Sequence, residues 1–253
     1  MRVPQLWGLR TSSVTAFLFA VASTLGGQSL PTPHQLAARH DSLMGGRQAL
    51  EAHKSVHVTG TFAIPAMGMD APMEILKVKP NKLFTRTALG PAGEVLSGYD
   101  GKNAWAVQPG QAPMLLTGAQ AEQLTEQADF YGSLPDYGKY AKVETLDESD
   151  FEGKRSYRVQ LTRANGDVIH EYYEVATGLR IGGASSVETP QGKVDVKSIV
   201  SEYKEFGGVR FATKVITRNP QFEIILTITS VVFDTLDESA VAPPDAVKTL
   251  IKP

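Results

Sequence analysis

Met67, Met69 and Met73 form a Met-x-Met-x3-Met run, and thioethers at that spacing could hold a soft ion such as Cu(I). No histidine or cysteine stands near them in sequence to complete a copper set. Unbranched, polarizable methionine side chains also make an adaptable apolar lining, which is the reading adopted here. His53 and His57 are four residues apart, a spacing that suits zinc when both lie on one helix. Here the helical pattern ends at Lys54-Ser55, and His57 falls on the polar face of a strand. His170 beside Glu171, and Asp147-Glu148 with Asp150, supply acid and base groups, but each pattern fits a solvated strand face or turn. The chain has no Gly-x-Ser-x-Gly elbow and no Gly-rich phosphate loop. It contains no cysteine, which excludes disulfides, thiolate metal sites and thiol nucleophiles. These residues predict no enzyme, no metal and no cofactor.

The elements that position them are mostly strands. From Val56 the residues alternate: Val56, Val58, Phe62 and Ile64 on one face, His57, Thr59, Thr61 and Ala63 on the other. Around Pro72–Lys79 the strand is apolar on both sides, with Met73 and Ile75 opposite Leu76 and Val78, as when both faces are covered. Lys79-Pro80-Asn81-Lys82, Gly90-Pro91-Ala92-Gly93, Asp100-Gly101, Asn165-Gly166 and Asn219-Pro220 read as turns between further strands. Two helices are predicted. One runs from about Pro33 to Lys54, with Leu36, Leu43 and Leu50 recurring every seven residues and Thr32-Pro33 as its start. It kinks or restarts at Gly45-Gly46, where another backbone can approach closely. The second spans Gly118 to Tyr131 on the stripe Ala121, Leu124, Ala128 and Tyr131. A short helix closes the chain after Pro243-Pro244-Asp245.

Composition sets the outer limits. The 253 residues are 42% hydrophobic and 21% charged, enough to bury a core. Arg2 and Arg10 precede the apolar run Val14–Ala22, which ends in small residues, the pattern of a secretory signal over residues 1–27. Without that segment, 23 basic residues face 27 acidic ones, a balance that argues against nucleic acid as a partner. An exported, periplasmic protein without a lipid anchor is expected, with residues 28–253 as one domain.

Several landmarks occur in a fixed order: Leu43-Met44-Gly45-Gly46-Arg47-Gln48-Ala49-Leu50, Thr59-Gly60-Thr61, Lys79-Pro80-Asn81-Lys82, and Tyr99-Asp100-Gly101-Lys102 with Trp105. Tyr172-Tyr173-Glu174 with Thr177-Gly178-Leu179, Ser201–Val209, Phe233 and Ala242-Pro243-Pro244 follow. In this order, from about Pro33 to Leu250, the chain resembles the LolA/LolB-like superfamily of periplasmic lipoprotein carriers and outer membrane lipoprotein-sorting proteins. The resemblance implies an incomplete barrel of antiparallel strands covered by helices, a cavity for acyl chains, and no chemistry. The missing cysteine separates the chain from the lipid-anchored acceptor branch.

The fold class predicted is therefore mainly β: one curled antiparallel sheet of roughly ten strands under helical cover. A hydrophobic hollow between the two is the expected site, with Phe62, Ile64, Met67, Met69, Met73, Leu76, Trp105, Leu124 and Phe130 as candidate lining. Trp105 fits either the hollow or the packed core of the sheet. The ligand expected is a lipid or lipoprotein acyl chain. The alternative is a scaffold subunit of an envelope membrane-protein complex that keeps the fold without an accessible cavity.

Overall fold

The computed structural model describes residues 29–189 and 192–251, so the expected export signal lies outside the described residues. Two runs of antiparallel strands dominate it. The first is β1 (Ser55–Ile64), β2 (Met69–Val78), β3 (Lys82–Ala88), β4 (Glu94–Tyr99), β5 (Ala104–Val107) and β6 (Met114–Leu115). The second is β7 (Lys142–Phe151), β8 (Lys154–Thr162), β9 (Val168–Glu174), β10 (Arg180–Thr189), β11 (Gly192–Phe206), β12 (Val209–Arg218) and β13 (Glu223–Phe233). Each run is a meander, and pairing of β1 with β13 fuses them into one sheet of 13 strands among the described residues. The edge strands, two-residue β6 and ten-residue β7, end the sheet without pairing to each other, so the curled sheet stays an open barrel.

The expected break in the N-terminal helix is present. Helix α1 (Pro33–Leu43) starts with a capping box, in which Thr32 Oγ1 accepts from the Gln35 amide and the Gln35 side chain accepts from the Thr32 amide. Helix α2 (Gly46–Glu51) restarts after Gly45, whose φ is +100°. A Cβ on Gly45 would stand 2.4 Å from the Gly208 carbonyl oxygen, so only glycine admits the β11–β12 turn here. The amide of Arg210 donates to the Met44 carbonyl at 3.0 Å and fixes that approach. Helix α3 (Gly118–Ala128) follows β6, and α4 (Asp245–Lys248) lies near the C-terminus.

Toward the end of β2 both faces of the sheet are covered, which is why Leu76 and Val78 are apolar as well as Met73 and Ile75. On the inner face Met44, Leu50, Val56, Val58, Phe130, Leu134, Val209 and Val231 make one cluster. Leu36 and Ala37 of α1 pack on Val159, Leu161 and Tyr173 in a second, and Leu124 and Ala128 of α3 pack on Leu83 and Ala104 in a third. The outer face carries the rung His57–Leu76–Phe84–Gly98–Trp105, one cross-strand partner after the next. Gly98 lets the fully buried indole lie flat, since a Cβ there would be 2.5 Å from Trp105 Cζ2. The turn Glu238–Val241 packs against β2 and β3, Lys82 holds Glu238 at 2.5 Å, and Val241 and Val247 of the same segment are fully buried.

Candidate functional site

Between the inner face of the sheet and the helical cover lies a cavity of about 1070 Å³, at the large end of small-molecule sites. Its floor is apolar: Val56, Val58 and Phe62 of β1, Met73 and Ile75 of β2, Phe211 of β12, and Leu226, Ile228 and Phe233 of β13. Met44 and Leu50 from the α1–α2 pair, with Phe130 and Leu134 from the segment after α3, form its apolar cover. Alternation within β1, β2 and β13 aims these side chains at one face. The helices close over it because they too have only one apolar stripe.

The candidate residues separate into groups. Phe62, Met73 and Phe130 line the cavity. Ile64 and Met69 pair with each other at the end of the β1–β2 hairpin, on the face of Phe62 but outside the lining. Met67 sits in the turn Pro65–Met67 and is 64% exposed, so the three thioethers occupy three different environments. Leu124 lies beneath α3 against Leu83 and Ala104, in packed core beside the cavity. Leu76 and Trp105 point to the opposite face, where Trp105 fills the outer core. His53 and His57 diverge as well. His53 Nδ1 is 2.8 Å from Asp234 Oδ2 with its ring stacked on Phe233, while His57 faces Glu74 at 3.5 Å. Among the described residues, no three His, Asp or Glu side chains gather as a metal-binding group.

One corner of the cavity is polar, and the lining expected from sequence contains none of it. Glu171, which reads in sequence as part of a solvated strand face, is that corner's half-buried hub. His40 of α1, Arg180 of β10 and Tyr203 of β11 all reach the lining. Arg180 Nη1 donates to Glu171 Oε1 at 2.6 Å. Glu171 Oε2 also accepts from the Tyr173 hydroxyl at 2.8 Å and the Tyr137 hydroxyl at 3.1 Å, and the two hydroxyls are 2.8 Å apart. Tyr203 donates to the Arg180 carbonyl at 2.6 Å. The Arg180 amide donates to His40 Nδ1 at 3.2 Å, which leaves the imidazole proton on Nε2.

Burial, reinforced by the Arg180 charge, lowers the His40 pKa to about 3, so the ring is neutral at physiological pH. Burial and the Glu171 charge push the Tyr137 and Tyr173 hydroxyls up and keep them protonated. Burial opposes the Arg180 charge, but Glu171 and the neighbouring tyrosines outweigh it and hold the guanidinium more basic than usual. Lys77 enters from β2 and donates to the Asp129 carbonyl at 3.1 Å; burial lowers its pKa to about 8 against the pull of Asp129. The cavity thus joins a nonpolar floor to a half-buried, hydrogen-bonded cationic corner.

These features define a LolA-like fold: one curled antiparallel sheet, open between its edge strands and covered by helices on its inner face. A LolA superfamily protein from Nitrosomonas europaea matches at a TM-score of 0.56 and 13% identity, over 85% of this chain and 99% of that one. A DUF1329 family protein from Desulfovibrio piger matches at 0.58 and 12%, over 83% and 97%. A putative outer membrane lipoprotein-sorting protein domain from Vibrio parahaemolyticus matches at 0.51 and 13%, over 85% and 98%. No family model matches the sequence, and no curated protein matches it either. At these identities the likeness is one of fold. Among the described residues no helix is long and apolar enough to cross a membrane.

Proposed function

We propose that this protein is a non-enzymatic periplasmic carrier that holds the acyl chain of a lipid or lipoprotein between its sheet and its cover helices. The observation that supports the reading is the cavity itself, large and floored by side chains from β1, β2, β12 and β13. Each CH2 moved from water onto that floor contributes about 0.8 kcal/mol, so one long chain suffices for usable, reversible affinity. The lipoprotein-sorting description of one fold neighbour agrees with such a role. The mature N-terminus of the exported protein tests the periplasmic part of the reading, and retention of residues 1–27 on a cytoplasmic product would reject it.

Native mass spectrometry of protein purified from periplasm without detergent tests the binding part. A bound mass in the lipid range, lost on organic extraction, is the expected result. An unliganded mass together with a stoichiometric membrane partner would instead favour the scaffold role. A second check uses Phe62, which is only half-buried and faces the cavity. Phe62→Gln is expected to weaken binding of a fluorescent fatty acid about tenfold through lost apolar contact, with little change in the unfolding midpoint. Unchanged affinity would remove this cavity as the site.

A further inference from the structure

We infer that Arg180 is the head-group subsite of this cavity, and that the ligand is an amphiphile whose acyl chain ends in an oxyanion, a carboxylate or a phosphate. The inference rests on the carrier reading and narrows its ligand. Arg180 lines the cavity, and its guanidinium spends one nitrogen, Nη1, on Glu171. Neither Nε nor Nη2 donates a hydrogen bond to any described residue. The Glu171 carboxylate is occupied, with one oxygen taking Arg180 and the other both tyrosine hydroxyls. Its charge is therefore spread over three donors, while part of the guanidinium fork remains open.

The four acidic residues that line the cavity, Glu74, Glu126, Asp129 and Asp136, are committed elsewhere. Glu74 turns to the outer face toward His57 and Arg86, and Glu126 pairs with Arg163. Asp129 and Asp136 accept from backbone amides of their own loop, at Tyr131 and Gly138. Lys77 is engaged with the Asp129 carbonyl. The planar guanidinium suits two oxygens of one head group, which an ammonium does not match. Beside it His40 stays neutral and adds no second positive charge that the apolar cavity would have to bury.

The test titrates the full-length exported protein, below micelle formation, with three ligands that carry the same oleoyl chain: oleate, oleoyl lysophosphatidate and neutral monoolein. At least one anionic amphiphile is expected to bind about tenfold or more tighter than monoolein, the size of a charge-assisted hydrogen bond. Which anion gains identifies the source of the oxyanion. In Arg180→Met the ratio of anionic to neutral affinity should collapse toward one. Arg180→Lys keeps a cation beside Glu171 should the Met variant fail to fold, and it should lower the ratio at least about threefold. Equal binding of all three ligands by the wild type, or a ratio that survives both substitutions, would overturn the head-group assignment and leave the carrier reading intact. No binding of any amphiphile would overturn both.

Discussion

His40 is a histidine that folding removes from titration. Only 1% of its surface is exposed, its Nδ1 accepts from the Arg180 amide, and Tyr173 and Tyr203 meet its ring edge-on. With a folded pKa of about 3 against an unfolded value near 6.5, the unfolded chain takes up a proton that the folded one refuses. Stability is therefore fully present above pH 6.5 and declines as pH falls from there toward 3. At pH 5.5 the loss from this one group is about 1.3 kcal/mol relative to pH 7. His40→Asn keeps an acceptor near the Arg180 amide and cannot titrate. Urea unfolding at pH 7 and 5.5 should show the stability gap between wild type and variant shrinking by about that amount, and a constant gap would mean that the imidazole is not held neutral. The neighbouring Asp41 carboxyl is itself raised by burial and acts in the opposite direction, so the comparison stops at pH 5.5.

At the level of elements, the glycine pair separates close packing from mere backbone freedom. Gly45 and Gly46 both have positive φ, but only Gly45 faces a backbone oxygen, that of Gly208. Gly45→Ala should cost roughly 3 kcal/mol and Gly46→Ala about 1 kcal/mol, read as urea midpoints. Equal costs would show that strain alone, and not the β11–β12 turn, requires the glycine. This break was legible in sequence because two adjacent glycines interrupt a seven-residue apolar repeat. The hairpins were legible for a similar reason, since Asp100-Gly101 and Asn165-Gly166 mark their turns.

Other elements left weaker traces. β7 carries Asp147, Glu148 and Asp150, because a sheet edge gains from charge that discourages further pairing, and so it reads as a polar turn. Leu76 reads as lining, and Trp105 as either lining or core, because alternation within a strand shows that two faces exist without telling which one meets the helices. The C-terminal segment that covers the outer face decides that, and its packing is a long-range contact. Glu171 and Arg180 sit on the neighbouring strands β9 and β10, but His40 comes from α1, far away in the chain. No local pattern announces a corner that exists only when the second meander folds against α1.

For the whole molecule, the strand order accounts for the cavity's cover. Two meanders joined through their first and last strands, β1 and β13, place β6 and β7 at opposite ends of the sheet. The chain must still pass from β6 to β7, and residues 116–141, with α3 in their middle, make that crossing on the inner side. This part of the cover, beside the α1–α2 pair, is thus the connection between the meanders, required by the topology. Over residues 118–134 the buried apolar side chains are Leu124, Ala128, Phe130 and Leu134, and no strand ladder ties this stretch to the sheet, so it should open at lower free energy than the central strands. Hydrogen exchange on the unliganded protein should show amides of residues 118–134 exchanging faster than those of β1, β2 and β13. Addition of an excess of oleate should slow residues 118–134 most, because Phe130 and Leu134 then close on the bound chain. The outer segment 238–248 packs on the other face of the sheet and should be unaffected. If oleate protects 238–248 and leaves 118–134 unchanged, the ligand site lies on the outer face and the inner cavity is not where the acyl chain goes.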